Sequence, residues 1–460
     1  MPIAYGLLTG GEGLRPLATS AVATAAAGGF CVLRFRRHAR ELTRREGLLL
    51  VVATWVGICL FGSLPFYLSA HFNNFTDAFF EAVSGFTTTG ATVLVKVEVL
   101  PEPLQFWRCF THWLGGMGIV LLGVAILPLL GHGGMQLYRA EFSGAKSEKL
   151  KPRIAETASA LWKIYFALTV IEYLALRWAG MSRFDALCHT FSTLGTAGFS
   201  TRTDSIAGFD SPAIELIIVL FMLLAGVSFV QHYRLWVERR PRSVFADVEI
   251  RYYLLLIGAA TLVVCGILIW RSGYAPALAM RVALFQVTSI VTTTGFVTDN
   301  FAIWPPLPQL IILALMFIGG CTGSTAGGMK ISRILLLTRV VDREFKRMVE
   351  RRGVFAVRLG GQVIPEETVQ SLLNLVYLAF VINFVACGLL AAVGVDVLTA
   401  IAAVAASMFN IGPGLGGVGP VDTYAHLPML GKWVLTGCML AGRLEFYTVL
   451  VILTPAFWRK

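Results

Sequence analysis

Four short runs of threonine and glycine carry the chemistry open to this chain. Thr88-Thr89-Gly90, Thr196-Ala197-Gly198, Thr293-Thr294-Gly295 and Asn410-Ile411-Gly412 recur at intervals of about a hundred residues. Glycine admits backbone angles that a side chain often blocks. Carbonyl oxygens aimed inward from a ring of such loops can replace the water oxygens of a dehydrated alkali cation. Threonine hydroxyls add oxygen ligands or satisfy backbone groups. One run alone is a packing turn, but four in register around one axis predict a cation selectivity filter.

The register extends beyond the loops. Asp77, Ser84 and Gly90 repeat their spacing in Asp185, Ser192 and Gly198, and Ser289 to Gly295 has the same six-residue step. The fourth run, read from Ser407 to Gly412, is one residue shorter and replaces threonine by Asn410-Ile411. It is the divergent member. A short helix before each loop would point its partly negative C-terminal end toward the axis, which favours a cation.

The elements that must position these loops are membrane helices. The chain has 460 residues, 56% hydrophobic and 14% charged, against about 25% charged for a soluble chain. Its mean hydropathy is +0.72. Apolar stretches of about 20 residues, enough to cross a bilayer, fall at 16–33, 47–70, 106–130, 158–179, 212–233, 252–271, 306–337, 368–393 and 427–455. The ten residues before 16–33 are too few for a partner helix, and Met1 to Gly10 lacks the basic start of a cleavable signal peptide. Between alternate spans lie shorter segments of the kind that re-enter a membrane, each ending in a Thr/Gly run. The expected fold is an all-α integral membrane protein: four pseudo-symmetric helix–pore loop–helix repeats around one central pore, plus an N-terminal extra helix.

The formal charge of +11 raises nucleic acid as a partner until the basic residues are located. Most lie in clusters at 34–45, 139–153, 234–251 and 330–358 and at the C-terminus, on the side opposite the Thr/Gly loops. The positive-inside rule makes that side cytoplasmic and the loops external, with membrane lipid and no nucleic acid as partner. On the outer side Asp77, Glu81, Glu98, Glu102, Asp185, Asp204, Asp210, Asp299, Asp396 and Asp422 are expected to divide between helix caps, solvated loops and a vestibule that concentrates cations.

The seventh span is interrupted by Gly319-Gly320-Cys321-Thr322-Gly323-Ser324-Thr325-Ala326-Gly327-Gly328. So much glycine is incompatible with ordinary helix, and non-helical backbone at membrane depth lines a cavity or is buried in protein. It is read as a gate below the filter, with Lys330 supporting it. A phosphate-binding GxxxxGK[ST] loop fails here, because Met329 follows Gly328 and Lys330 comes one place late. Arg443 is the basic residue deep in the last span, where a charge costs a few kcal/mol. It either pairs with Glu445 or another helix, or it stands in the permeation path and holds the gate loop by its carbonyls. Lys163 and Glu172 read as helix-end or interhelical pairs.

Two other classes compete. An intramembrane enzyme would need HExxH, GxSxG or a His/Cys metal cluster, and the sequence holds none of these; its eight cysteines are scattered through apolar stretches. An ion-coupled solute carrier would show inverted repeats and paired midplane carboxylates, whereas these repeats run parallel.

The filter runs resemble a known family when taken with Gly115-Gly116-Met117-Gly118-Ile119, the stretches 134–141 and 152–157, the glycine-rich break and Gly442-Arg443-Leu444-Glu445. The chain is similar to the TrkH-type membrane subunits of bacterial Trk potassium-uptake systems, in the superfamily that includes KtrB and plant HKT proteins. The resemblance implies a pore that translocates K+ across the bacterial cytoplasmic membrane, with no organic cofactor and no enzymatic activity. It also implies a homodimer and a TrkA-type cytosolic ring of nucleotide-binding regulatory subunits. Gly90, Gly198, Gly295 and Gly412 match the filter glycines, 319–328 the intramembrane loop, and Arg443 the arginine beneath the filter. A serine in place of the first filter glycine goes with sodium transport in that superfamily, so Gly90 favours K+ over a mixed Na+/K+ transporter. The implied organisation is an incomplete N-terminal region at 1–45 and pore repeats at 46–137, 138–240, 241–358 (with the gate loop) and 359–460. Family members begin with two extra helices, and only the second is complete here.

Overall fold

The computed structural model describes residues 1–9, 12–36, 43–126 and 154–459. The basic cluster 139–153, the motif stretch 134–141, Arg37 and Arg40 of the 34–45 cluster and the boundary expected at 137/138 lie outside them.

The helices in chain order are α1 (Pro2–Thr9), α2 (Leu14–Phe35), α3 (Arg44–Tyr67), α4 (Phe75–Phe86), α5 (Glu102–Ile126), α6 (Ile154–Trp178), α7 (Arg183–Leu194), α8 (Pro212–Ala225), α9 (Phe229–Trp236), α10 (Pro241–Phe245), α11 (Val248–Ser272), α12 (Pro276–Val291), α13 (Pro306–Leu315), α14 (Ile331–Val349), α15 (Glu366–Ala392), α16 (Val397–Met408), α17 (Met429–Arg443), α18 (Phe446–Leu453) and α19 (Pro455–Trp458). A two-stranded hairpin, β1 (Arg358–Leu359) and β2 (Gln362–Val363), separates α14 from α15. It was not foreseen, although Gly360-Gly361, both at positive φ, is the turn such a hairpin needs.

Among the described residues, α2, α3, α6, α11 and α15 are long and apolar enough to cross a membrane. This is a multi-pass membrane protein. On α15, Tyr377, Phe380 and Phe384 are exposed while Leu372, Leu375, Ala379 and Leu390 are buried. Large aromatic groups on an outward helical face suit lipid, with the opposite face packed on protein.

Two expected spans are not straight. The stretch read as 212–233 is α8 and α9, bent by 98°, and the stretch read as 427–455 is mostly α17 and α18, bent by 117°. Gly226 and Ser228 stand at the first bend; at the second Glu445 takes φ +64. Hydropathy runs unbroken through the first; the second holds Arg443 and Glu445, but the apolar residues on either side of them still read as one span. The stretch read as 306–337 is broken as expected: α13 ends at Leu315 and α14 begins at Ile331. Its second helix continues to Val349, well past the apolar segment.

The short helices α4, α7 and α16 have 12 residues each, about 18 Å, too short to cross about 30 Å of hydrocarbon. Each is buried toward its C-terminal end and starts at a side-chain cap. Asn74 accepts from the Asp77 amide, Ser182 from that of Asp185, and Asp396 from that of Thr399. The fourth short helix, α12, has 16 residues and begins at Pro276, where a missing amide costs nothing. Before α2, where no partner helix was expected, α1 forms a short helix that cannot span. It rests on α5, with Tyr5 donating to Glu102 at 2.7 Å and stacking on Phe106 and Phe184.

Candidate functional site

The C-terminal ends of α4, α7, α12 and α16 lead into four loops of one shape. Thr88, Thr196, Thr293 and Asn410 take φ of 54°, 51°, 55° and 55°, and the glycines two residues on take 78°, 83°, 80° and 100°. The residue between them donates its amide back to the short helix: Thr89 to the Ser84 carbonyl at 2.8 Å, Ala197 to Ser192 at 3.0 Å, Thr294 to Ser289 at 2.8 Å and Ile411 to Ala406 at 2.8 Å. The fourth loop is therefore not one residue shorter. Ala406, not Ser407, stands where the other loops have serine, and the six-residue step to glycine holds in all four. The backbone carbonyl does the work at that position. The serine hydroxyls there differ in use: Ser289 Oγ donates to the Phe296 carbonyl, Ser192 Oγ meets His112, and Ser84 Oγ has no partner among the described residues.

The loops abut in cyclic order. A Cβ on Gly90 would collide with the Ala197 carbonyl oxygen, one on Gly198 with that of Thr294, one on Gly295 with that of Ile411, and one on Gly412 would come within 2.7 Å of that of Thr89. Close approach and positive φ both require glycine at all four positions. Residues expected to act together, Thr88 to Gly90, Thr196 to Gly198, Thr293 to Gly295 and Asn410 to Gly412, are thus assembled into one ring. Several threonine hydroxyls brace it: Thr87 Oγ1 donates to the Val83 carbonyl and meets Thr89 Oγ1 at 2.8 Å, and Thr292 repeats this with Thr288 and Thr294. Asn410 Nδ2 donates to Thr89 Oγ1 at 2.9 Å, which explains the departure from threonine, since an amide reaches across to the first loop.

A bowl of roughly 620 Å³ opens against the ring and is lined by all four glycines. Of the ten outer acids, Asp422 lines it, together with Arg108 and Arg202. Most of the others have structural partners: Asp77 binds Lys432 at 2.7 Å, Glu81 binds Arg108 at 2.6 Å, Glu98 accepts from Thr203, Glu102 from Tyr5, Asp185 from Thr201, and Asp299 from Tyr274 and Trp304. Arg108 escaped the sequence reading although it is a charge in an apolar helix. It is 2% exposed, lies 3.5 Å over the Phe199 ring and donates to the Ser200 carbonyl, so it ties the first two loops together behind the ring. Tyr424, also missed, donates to the Gly412 carbonyl at 2.7 Å.

The loop 319–328 lies against the other side of the ring. Its neck is closed by a Gly319 amide bond to the Met329 carbonyl at 2.8 Å. The Gly327 amide donates to Thr293 Oγ1 at 2.6 Å, and a Cβ on Gly327 would press on the Phe409 carbonyl and Asn410. The bend between α8 and α9 interlocks with it: the Cys321 amide donates to the Gly226 carbonyl at 2.8 Å, the Phe229 amide to that of Gly323 at 3.0 Å, and Thr325 Oγ1 to that of Ala225 at 3.3 Å. Ser324 Oγ closes an internal turn on the Cys321 carbonyl, and Lys330 Nζ donates to that of Ala326 at 2.5 Å. Two charged residues outside the loop also grip it. Glu249 accepts from Thr322, and Arg443 donates to the Thr325 carbonyl at 2.9 Å and to the Gly115 carbonyl at 3.3 Å. Arg443 is 3% exposed and forms no salt bridge among the described residues; Glu445 pairs instead with Arg333 at 2.7 Å. Lys163 is exposed in mid-helix and Glu172 is fully buried, and neither forms an ion pair among the described residues, against expectation.

Comparison with known proteins agrees with this architecture. The TrkH family model, described as a cation transport protein, matches residues 17–460. The Trk system potassium uptake protein TrkH of Salmonella typhimurium is 46% identical over 92% of this chain and 88% of its own, and that of Vibrio parahaemolyticus 46% identical over 94% and 90%. TrkG of Escherichia coli, another Trk system potassium uptake protein, is 34% identical over 91% and 87%. The crystal structure of the potassium transporter TrkH from Vibrio parahaemolyticus superposes with a TM-score of 0.92, covering all of this chain and 95% of that one at 41% identity. On this evidence the chain belongs to the TrkH family of cation transport proteins.

Proposed function

We propose that this protein is the K+-translocating subunit of a Trk-type uptake system. The observation that carries the reading is the ring in which each of four glycines abuts a carbonyl of the next loop. Such a ring supplies oxygen ligands from the backbone alone, the chemistry that substitutes for the hydration shell of K+. The short helices end at the ring, so their C-terminal dipoles favour a cation there. The chain acts as a transporter and not an enzyme, and its four repeats, divided at 46, 138, 241 and 359, each contribute one loop.

The loop 319–328 is the gate, and Arg443 holds it beneath the ring. K+ moves inward across the bacterial cytoplasmic membrane, with the basic loops cytoplasmic. At about −100 mV, inside negative, each ion gains about 2.3 kcal/mol on entry, enough to oppose an almost fiftyfold gradient. The protein works as a homodimer whose cytoplasmic face meets a ring of nucleotide-binding regulatory subunits of the TrkA type. The relatives' membership of a named Trk system supports a multi-component assembly.

The experiment is uptake of 86Rb+ into liposomes holding the purified protein, with K+ and Na+ as competitors. Strong competition by K+ and weak competition by Na+ is expected. Absence of cation uptake, or equal competition by both, overturns the reading.

A further inference from the structure

We infer that Glu249 is a positioning residue that latches the intramembrane loop shut and couples it to α14. It stands in the first turn of α11, where an acid ordinarily serves only its own helix N-terminus. That duty is already filled: the Asp247 side chain accepts from the Glu249 and Ile250 amides. The Glu249 carboxylate instead turns outward from its helix. Its Oε1 accepts from the Thr322 amide at 2.7 Å, from Thr322 Oγ1 at 3.1 Å and from the Ser332 amide at 3.1 Å. Thr322 and Ser332 also meet through their hydroxyls at 2.6 Å.

These donors belong to two different parts of the molecule. Thr322 is in the intramembrane loop, and Ser332 is the second residue of α14, whose N-terminal amides and dipole favour an anion. One carboxylate oxygen therefore binds the loop to the end of the helix that leaves the membrane. The far part of α14 carries Arg339, Arg343, Lys346 and Arg347, and Arg343 is paired with Glu366 of α15 at 2.6 Å. A displacement of α14 along its axis draws Ser332 away from Glu249, and Thr322 then loses its place. Asp247 extends the same junction to the bent α8/α9 segment, because Gln231 donates to it at 2.7 Å. Arg443 grips the loop at Thr325, so the two charged residues hold its two halves separately.

The inference rests on the reading of 319–328 as a gate, and the test separates the two. Four proteins are compared in liposomes by 86Rb+ influx without any regulatory subunit: the native chain, Glu249→Gln, a chain lacking residues 322–327, and the two changes combined. Glu249→Gln is expected to raise influx about tenfold, the scale of one lost charge-assisted hydrogen bond, with the thermal midpoint within a few degrees of native. In the shortened chain it is expected to add nothing. If shortening raises influx and Glu249→Gln does not, the latch is wrong while the gate stands. If shortening changes nothing, the gate reading itself fails. An equal rise from Glu249→Gln in both backgrounds also overturns the latch, because the effect then does not pass through the loop. Should Glu249→Gln not fold, Thr322→Val, which removes the hydroxyl donor and keeps the shape, is expected to raise influx about threefold; unchanged influx overturns the inference.

Discussion

A side chain at Gly90 meets two obstacles at once. The backbone there is at φ +78, and the Cβ position is occupied by the Ala197 carbonyl oxygen of the neighbouring loop. Serine must push that carbonyl aside, and a displaced ligand changes the size and field of the cation site. Gly90→Ser is expected to lower the preference for K+ over Na+ by tenfold or more, read as Na+ competition against 86Rb+ uptake; an unaltered competition curve removes Gly90 from the site. At Arg443 the matter is charge. Its two carbonyl acceptors lie on the loop 319–328 and on α5, and hydrogen bonds from a charged donor contribute about 1.5–3 kcal/mol each. Arg443→Gln is expected to raise uptake roughly tenfold while the amount of folded protein stays the same. Collapse of protein levels would point to a purely structural role. The four glycines and Arg443 were legible because composition singles them out: glycine beside threonine in apolar surroundings, and a cation deep in the last span. Glu249 was not, since an acid in a first helical turn looks like any dipole partner, and nothing local reveals that its carboxylate serves Thr322. Ser407 misled because the position is defined by a backbone carbonyl, which Ala406 supplies as well as a serine would.

The loop 319–328 is held almost wholly by hydrogen bonds and glycine contacts, with few apolar side chains to anchor it. Segments of that kind come from the low-stability end of a structure, where local opening is cheapest. Its neck is closed between Gly319 and Met329 independently of the tip, so residues 322–327 can be removed without parting α13 from α14. Their removal is expected to raise K+ flux several-fold and to abolish dependence on a regulatory partner, checked by uptake with and without that partner. Flux that stays low and regulated would exclude a gating role. At this scale the glycine-rich break was readable, because ten such residues cannot remain helical in lipid. The bends at α8/α9 and α17/α18 were not, because each rests on a few residues between two apolar segments that together read as one span. Gly226, whose carbonyl receives the Cys321 amide, owes its conformation to a partner about a hundred residues away in sequence.

A ring made from one chain must be closed between its first and last loops, and the contacts at that seam join residues more than three hundred positions apart. Lys432 of α17 binds Asp77 of α4 at 2.7 Å. Trp433 donates to Thr76, Asn410 to Thr89, and the Tyr424 amide to the Thr92 carbonyl. The Lys432–Asp77 pair is almost fully buried, so removing only the cation strands a carboxylate, at a cost of about 3–5 kcal/mol. Lys432→Met is expected to lower the thermal midpoint of the solubilised protein by several degrees. A cation bound by all four loops opposes the same opening: it stabilises by RT ln(1 + [L]/Kd), about 2.7 kcal/mol at a hundredfold excess over Kd. Melting Lys432→Met in K+ and then in Na+ therefore tests seam and ring together. K+ is expected to restore much of the lost midpoint and Na+ much less, because the ion replaces across the ring part of the tether that the mutation removes at its edge. If the midpoint falls and no cation restores it, the seam holds the fold without bearing on the ring. If it does not fall, the pair is not what closes the ring.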